Sequence, residues 1–249
     1  MTATTTHIGV STKAYLGWQQ SLDWIERVHD SLVDRPLGDR VRLFVIPSFP
    51  VIPAAVQRLA PLGVVVGAQN VSTAAGAFTG EVSAAMLREL GVGIVEVGHA
   101  ERRSVFHETD EIVRVKTAAV LEAGITPLLC VGEPVKGEPA DAAAFCLVQV
   151  VSALAANGHL VGELAVAYEP VWAIGAAQPA PAAYVTEVIV ALRRSIEAHF
   201  GKPVARIIYG GSAGPGLLAD LPAADGLFLG RFAHDPANLG LVLAEAESR

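Results

Sequence analysis

The chain has 249 residues, 52% of them hydrophobic, enough apolar content for a substantial core, which excludes disordered and fibrous classes. Its net charge of −7, from 18 basic and 25 acidic residues, offers no broad attraction to nucleic acid or to an anionic membrane, so an anionic ligand must be held locally. Two cysteines, Cys130 and Cys146, make no disulfide framework, and MTATTTHIGV at the N-terminus has no basic segment ahead of an apolar core; a reducing, cytoplasmic setting is expected.

In chain order, HIGVS (7–11) is the first of eight short runs rich in branched apolar residues. SLDWIERVHDSLV (21–33) follows with helical periodicity, then the runs VRLFVI (41–46) and VVVGA (64–68). EVSAAMLRELG (81–91) reads as a helix ended by a left-handed cap at Gly91, and leads into GIVEV (93–97) and TPLLC (126–130). AAAFCLVQVVSALAA (142–156), the longest apolar stretch, is interrupted by Gln149 and Ser152 and reads as a packed helix, not a membrane span. LAVAY (164–168) is the sixth run. AAYVTEVIVALRRSIEAHFG (182–201) is a helix ending at Gly201, and RIIY (206–209) and LFLG (227–230) complete the set. Run starts lie roughly 20 to 40 residues apart, room for one helix between each pair, as in repeated strand–helix units on a parallel sheet. The expected fold is α/β, a single (β/α)8 TIM barrel spanning 1–249; a doubly wound open sheet is the alternative.

In such a barrel, reactive groups gather at the carboxyl ends of the strands. Lys13 follows the first run, His99 the fourth and Glu169 the sixth, while YGGSAG after the seventh and LGRF after the eighth offer backbone N–H groups to an anion. Each feature alone is ordinary surface or turn chemistry; their shared placement at one end of one barrel points to a site. No Cys/His cluster has metal-ligand spacing and no dinucleotide fingerprint is present, so neither metal nor organic cofactor is expected.

The motifs GAQNVSTAAGAFTGEVS (67–83), VGHAERR (97–103), CVGEP (130–134), AYEPVWAIG (167–175), YGGS (209–212) and DGLFLG (225–230) resemble those of the triosephosphate isomerase family, in order and over nearly the whole chain. The resemblance implies a sugar-phosphate isomerase that moves a carbonyl between adjacent carbons through a cis-enediolate. It implies Glu169 as base and His99 as a neutral electrophile at a helix N-terminus, a property of the family itself. It further implies Lys13 as fixed positive charge oriented by Glu101, a lid at 170–178, and a phosphate cup formed by the N–H groups of Gly175, Ser212, Gly230 and Arg231. Loop 73–81 resembles the arm by which family members form homodimers, with Thr79 approaching the partner's Lys13 and His99, and Glu81 pairing with its Arg102.

Several positions depart from the family pattern. Ser11-Thr12-Lys13 replaces Asn-Trp-Lys, Ala100 replaces Ser, Ala176-Ala177-Gln178 replaces Thr-Gly-Lys at the lid's end, and Arg231 replaces Gly. Ser11 and Ala100 are both smaller than the family's residues and are expected to leave room beside the reacting carbons. STKAYLG (11–17) is similar to the form found in family variants acting on four-carbon ketose phosphates. The expected reaction is therefore interconversion of L-erythrulose 1-phosphate and D-erythrulose 4-phosphate in tetritol catabolism. Isomerisation of dihydroxyacetone phosphate and D-glyceraldehyde 3-phosphate is the alternative, and a non-catalytic phosphate-binding protein the remote one.

Overall fold

Eight parallel strands pair in chain order, β1 (Thr6–Ser11), β2 (Val41–Ile46), β3 (Val65–Ala68), β4 (Ile94–Val97), β5 (Thr126–Val131), β6 (Ala165–Tyr168), β7 (Arg206–Tyr209) and β8 (Gly226–Leu229). β8 returns to β1, with Ile8 opposite Leu227 and Gly9 opposite Phe228, so the sheet closes. The computed structural model describes residues 5–176 and 179–249. It is a (β/α)8 barrel, and the open doubly wound sheet is excluded by the closure.

Helices α1 (Trp18–Asp34), α2 (Ile52–Leu59), α3 (Ala84–Glu89), α4 (Ala100–Val105), α5 (Asp110–Glu122), α6 (Pro139–Leu154), α7 (Ala182–Phe200), α8 (Leu217–Asp220) and α9 (Pro236–Ser248) fill the crossovers. In α1, Ser21, Trp24, Ile25, Val28 and Leu32 are buried, one stripe at helical spacing laid on the barrel. α3 is shorter than the 81–91 expectation because the Ser83 hydroxyl accepts the Met86 N–H and starts the helix at Ala84. Gly91 (φ +84°) and Gly201 (φ +68°) take the expected left-handed conformation. α6 and the turn behind it, through Glu163, are apolar and long enough to cross a membrane, yet α6 packs beside α5 and α7 and buries Ala142, Cys146, Val150 and Leu154.

Strand side chains alternate between two cores. Phe44, Ile46, Ile94, Leu128, Cys130, Ala165, Ala167, Ile208 and Phe228 fill the barrel interior. Val45, Val95, Val97, Leu129, Val166 and Ile207 point outward into the layer beneath the helices. This parity decides which residue of each strand can reach the barrel's mouth.

Candidate active site

Lys13 ends the first strand's turn with φ +47°, a left-handed conformation uncommon for a residue with a side chain. Its carbonyl is pinned by the Ser48 hydroxyl and the Gln69 amide, each donating at 3.0 Å. The ammonium donates to Glu101 Oε1 at 2.7 Å. Burial alone would lower the lysine pKa; the hydrogen bond and charge of Glu101, with the carboxylates of Glu169 and Glu96, outweigh it and leave the pKa raised.

His99 caps α4: its Nδ1 accepts the Glu101 backbone N–H at 3.1 Å, as expected from HAERRSVF. An accepting Nδ1 assigns the proton of the neutral ring to Nε2. Burial, reinforced by the Lys13 charge, lowers the His99 pKa to about 4, so the ring is neutral at physiological pH. Nε2 lies 3.5 Å from Glu169 Oε2 and 3.9 Å from Glu96 Oε1.

Glu169, following β6, is 3% exposed, and its Oε2 has no hydrogen-bond partner among the described residues. Burial raises its pKa well above the carboxylate range, and the nearby Glu96 charge adds to this while Lys13 opposes it. Two motif glycines make room for it. A Cβ on Gly132 of CVGEP would sit 1.9 Å from the Glu169 carbonyl oxygen, and one on Gly210 of YGGS would sit 2.6 Å from Glu169 Cγ.

These groups face a cavity of about 310 Å³ at the carboxyl end of the barrel, lined among others by Ser11, Lys13, Tyr15, His99, Glu101 and Glu169. Gly175, Ser212, Gly230 and Arg231 line the same cavity. The Ser212 hydroxyl donates to the Ala176 carbonyl at 3.1 Å, tying the end of the lid to the seventh crossover. Ala177 and Gln178, the other two altered lid positions, lie outside the described residues. Arg231 has no positive φ, so an arginine fits where the family has glycine; its guanidinium carbon lies 5.8 Å from the Tyr15 ring centre.

Ala100 is half-buried at the first position of α4 and is not among the residues lining the cavity.

Other site groups were not read from sequence. Glu96, inside the apolar run GIVEV, is 4% exposed, faces the barrel interior and accepts from the Ser11 hydroxyl at 3.2 Å. Strand parity could have found it, because Val95 and Val97 face the helices and position 96 must then face inward. Glu133 of CVGEP accepts from Trp172 Nε1 at 2.7 Å, Tyr184 OH at 3.0 Å and Tyr168 OH at 3.1 Å, clasping the first turn of the lid. At the lid's far end the Ala180 N–H donates to Tyr209 OH at 3.2 Å.

A sequence model described as triosephosphate isomerase matches residues 6–246. The chain belongs to the triosephosphate isomerase family. It is 51% identical over 245 residues to an L-erythrulose-1-phosphate isomerase of Pectobacterium atrosepticum, covering 96% of this chain and 95% of that protein. It is 40% identical over 234 residues to an L-erythrulose-1-phosphate isomerase of Rhizobium etli, covering 91% and 86%. A triosephosphate isomerase of Thermus thermophilus is 43% identical over 201 residues, covering 75% and 78%. This member of the family is accordingly a sugar-phosphate isomerase, as the motif resemblance implied.

Proposed function

We propose that the chain interconverts L-erythrulose 1-phosphate and D-erythrulose 4-phosphate with Glu169 as base. The observation that carries the chemistry is the unpartnered Glu169 Oε2 facing His99 Nε2 at 3.5 Å across the cavity floor. Glu169 takes the proton from the hydroxyl-bearing carbon next to the carbonyl and returns it to the former carbonyl carbon. Burial raises the carboxylate's basicity toward that of the carbon acid. His99 Nε2–H donates to the oxygen on which negative charge grows, and the ammonium of Lys13, oriented by Glu101, offsets that charge.

The phosphate is read as held by backbone N–H groups of Gly175, Ser212, Gly230 and Arg231, with the Arg231 guanidinium adding charge at the same wall. No step requires a metal or an organic cofactor. The four-carbon substrate is supported by the Pectobacterium relative, matched over nearly the whole of both chains, and by the short Ser11 in the cavity wall. Triose phosphate isomerisation is the second reading, favoured by the Thermus relative.

The deciding experiment compares kcat/KM for L-erythrulose 1-phosphate and for D-glyceraldehyde 3-phosphate. We expect the tetrulose to exceed the triose by at least about 10²-fold; a triose value near the family's diffusional ceiling of about 10⁸ M⁻¹s⁻¹ overturns the four-carbon assignment. Glu169→Gln is expected to stop exchange of the carbon-bound hydrogen with D₂O.

A cytoplasmic homodimer completes the reading. Cys130 and Cys146 are free buried thiols, suited to a reducing compartment. Residues 74–81 are exposed, and Phe78 among them, 45% exposed, offers apolar surface that a second copy could cover. Within the chain, Arg102 Nε donates to Glu108 Oε1 at 2.5 Å, leaving its Nη groups for the proposed Glu81 contact. Sedimentation at micromolar concentration is expected to give a dimer.

A further inference from the structure

The buried interior neighbours of Glu96 on β4, β5 and β6 include Ile94, Leu128, Cys130, Ala165 and Ala167, all apolar. Glu96 stands directly above Ile94 on β4, with Leu128 beside it in register on β5, and is almost fully buried. Placing a carboxyl there is costly unless its oxygens are engaged. Ser11 Oγ engages Oε2; Oε1 accepts no hydrogen bond among the described residues and lies 3.9 Å from His99 Nε2. Packing does not call for this group, since a valine or isoleucine would fill the same interior position. Burial has lifted its pKa to about 7, so near neutrality it can act as acceptor or donor.

The two polar side chains converge on one place. Ser11 lines the cavity, and Glu96 sits beneath it and beside His99 Nε2, the atom that meets the reacting oxygen in the proposed mechanism. The proposed phosphate contacts, from Gly175 to Arg231, lie on the sixth, seventh and eighth crossovers; Ser11 and Glu96 belong to β1 and β4 and meet beside His99, with Glu96 Oε1 3.9 Å from its Nε2. A substituent on the reacting carbon whose oxygen meets His99 Nε2 is therefore within reach of this pair. In a triose phosphate that substituent is hydrogen, and the free carboxyl oxygen is left unpaired. In a 1-phosphotetrulose it is a hydroxymethyl group.

We propose that Glu96 and Ser11 are the specificity-determining pair, with Glu96 Oε1 accepting the hydrogen bond of the substrate's terminal hydroxymethyl group and Ser11 fixing the carboxyl and leaving space for that group. This rests on the four-carbon reading of the function. It makes Glu96 a binding residue for the remote end of the substrate and leaves the proton transfer itself to Glu169 and His99. A site built to pair a substrate hydroxyl discriminates strongly against an analogue lacking it, because the protein's own polar group is then stranded.

The test is the ratio of kcat/KM for L-erythrulose 1-phosphate over D-glyceraldehyde 3-phosphate in the full-length enzyme, Glu96→Val, Glu96→Gln and Ser11→Ala. The ratio is expected to fall by about 10²-fold in Glu96→Val, by about 10-fold in Ser11→Ala, and to stay within about 5-fold of the parent in Glu96→Gln, whose amide oxygen can still accept. A merely structural role would depress both substrates together and leave the ratio unmoved, and that result overturns the pair as specificity determinants while the parent's preference for the tetrulose still stands. If instead the unmodified enzyme prefers the triose, the four-carbon reading falls and this inference with it. Should Glu96→Val fail to fold, Ser11→Ala decides by the same ratio.

Discussion

The Cα of Gly210 faces the side chain of Glu169 so closely that an added methyl group would lie 2.6 Å from Cγ and 2.7 Å from Oε1. The carboxylate is the group that has to yield, because Gly210 is tied by its N–H to the Tyr168 carbonyl at 2.9 Å. Gly210→Ala is expected to lower kcat by at least about 10²-fold through displacement of the base by a fraction of an ångström, with a much smaller change in KM. Steady-state kinetics on a variant shown by circular dichroism to be folded checks this. An unaltered kcat removes the case for Gly210 as the residue that shapes the base's seat.

Stability should carry opposite pH signatures from two neighbours. Glu96 has its pKa raised to about 7 in the fold against an ordinary 4.5, so the folded chain binds more protons than the unfolded one between those values. Its contribution therefore falls as pH rises from about 4.5 to about 7. His99 is lowered to about 4 from 6.5, so the unfolded chain binds more protons there and stability rises with pH across about 4 to 6.5. Glu96→Gln is expected to be more stable than the parent at pH 8 by a few kcal/mol, the gap closing toward pH 5. Denaturant melts at the two pH values measure it, and a gap independent of pH contradicts the buried-carboxyl account.

The lid's clasp is a single acceptor shared by three donors. Trp172→Phe deletes the 2.7 Å bond to Glu133 but keeps an aromatic ring against Tyr184, whose centroid is 5.7 Å away. Loss of one hydrogen bond to a carboxylate typically costs about 1.5 to 3 kcal/mol, so a fall in kcat/KM of roughly 10- to 10²-fold is expected if the clasp sets the lid's poise. Glu133→Gln, which leaves one fewer acceptor for three donors, should show a loss of the same order. Normal turnover in both variants would mean the clasp supports the fold and not the lid.

Arg231 offers a separable prediction because its backbone is compatible with any residue. Arg231→Gly keeps the N–H and removes the guanidinium, so KM should rise by about 10-fold while kcat holds, and the difference should shrink at high salt. A KM unchanged at low ionic strength would assign the side chain to its contact with Tyr15 and remove it from the phosphate wall.

Much of the fold was readable because each strand is an apolar run bounded by turn chemistry, and the convergence of Lys13, His99 and Glu169 followed from their places just past three of those runs. Their geometry was not readable in the same way. Glu96 lies inside an apolar run, where only strand parity, and not composition, distinguishes an inward carboxyl from its outward neighbours Val95 and Val97. The Glu133 clasp joins residues 35, 39 and 51 positions apart, and the Ser11 to Glu96 bond spans 85, separations on which local pattern is silent.

Lys13 carries its charge on a backbone that favours glycine, and the Ser48 and Gln69 side chains hold it there. Such a conformation costs of order 1 kcal/mol or more for a residue with a side chain. A screen for heat resistance alone would therefore tend to replace this lysine with glycine or asparagine, gaining melting temperature while discarding the ammonium that faces Glu101. In this barrel the thermally optimal sequence and the working sequence part company at position 13.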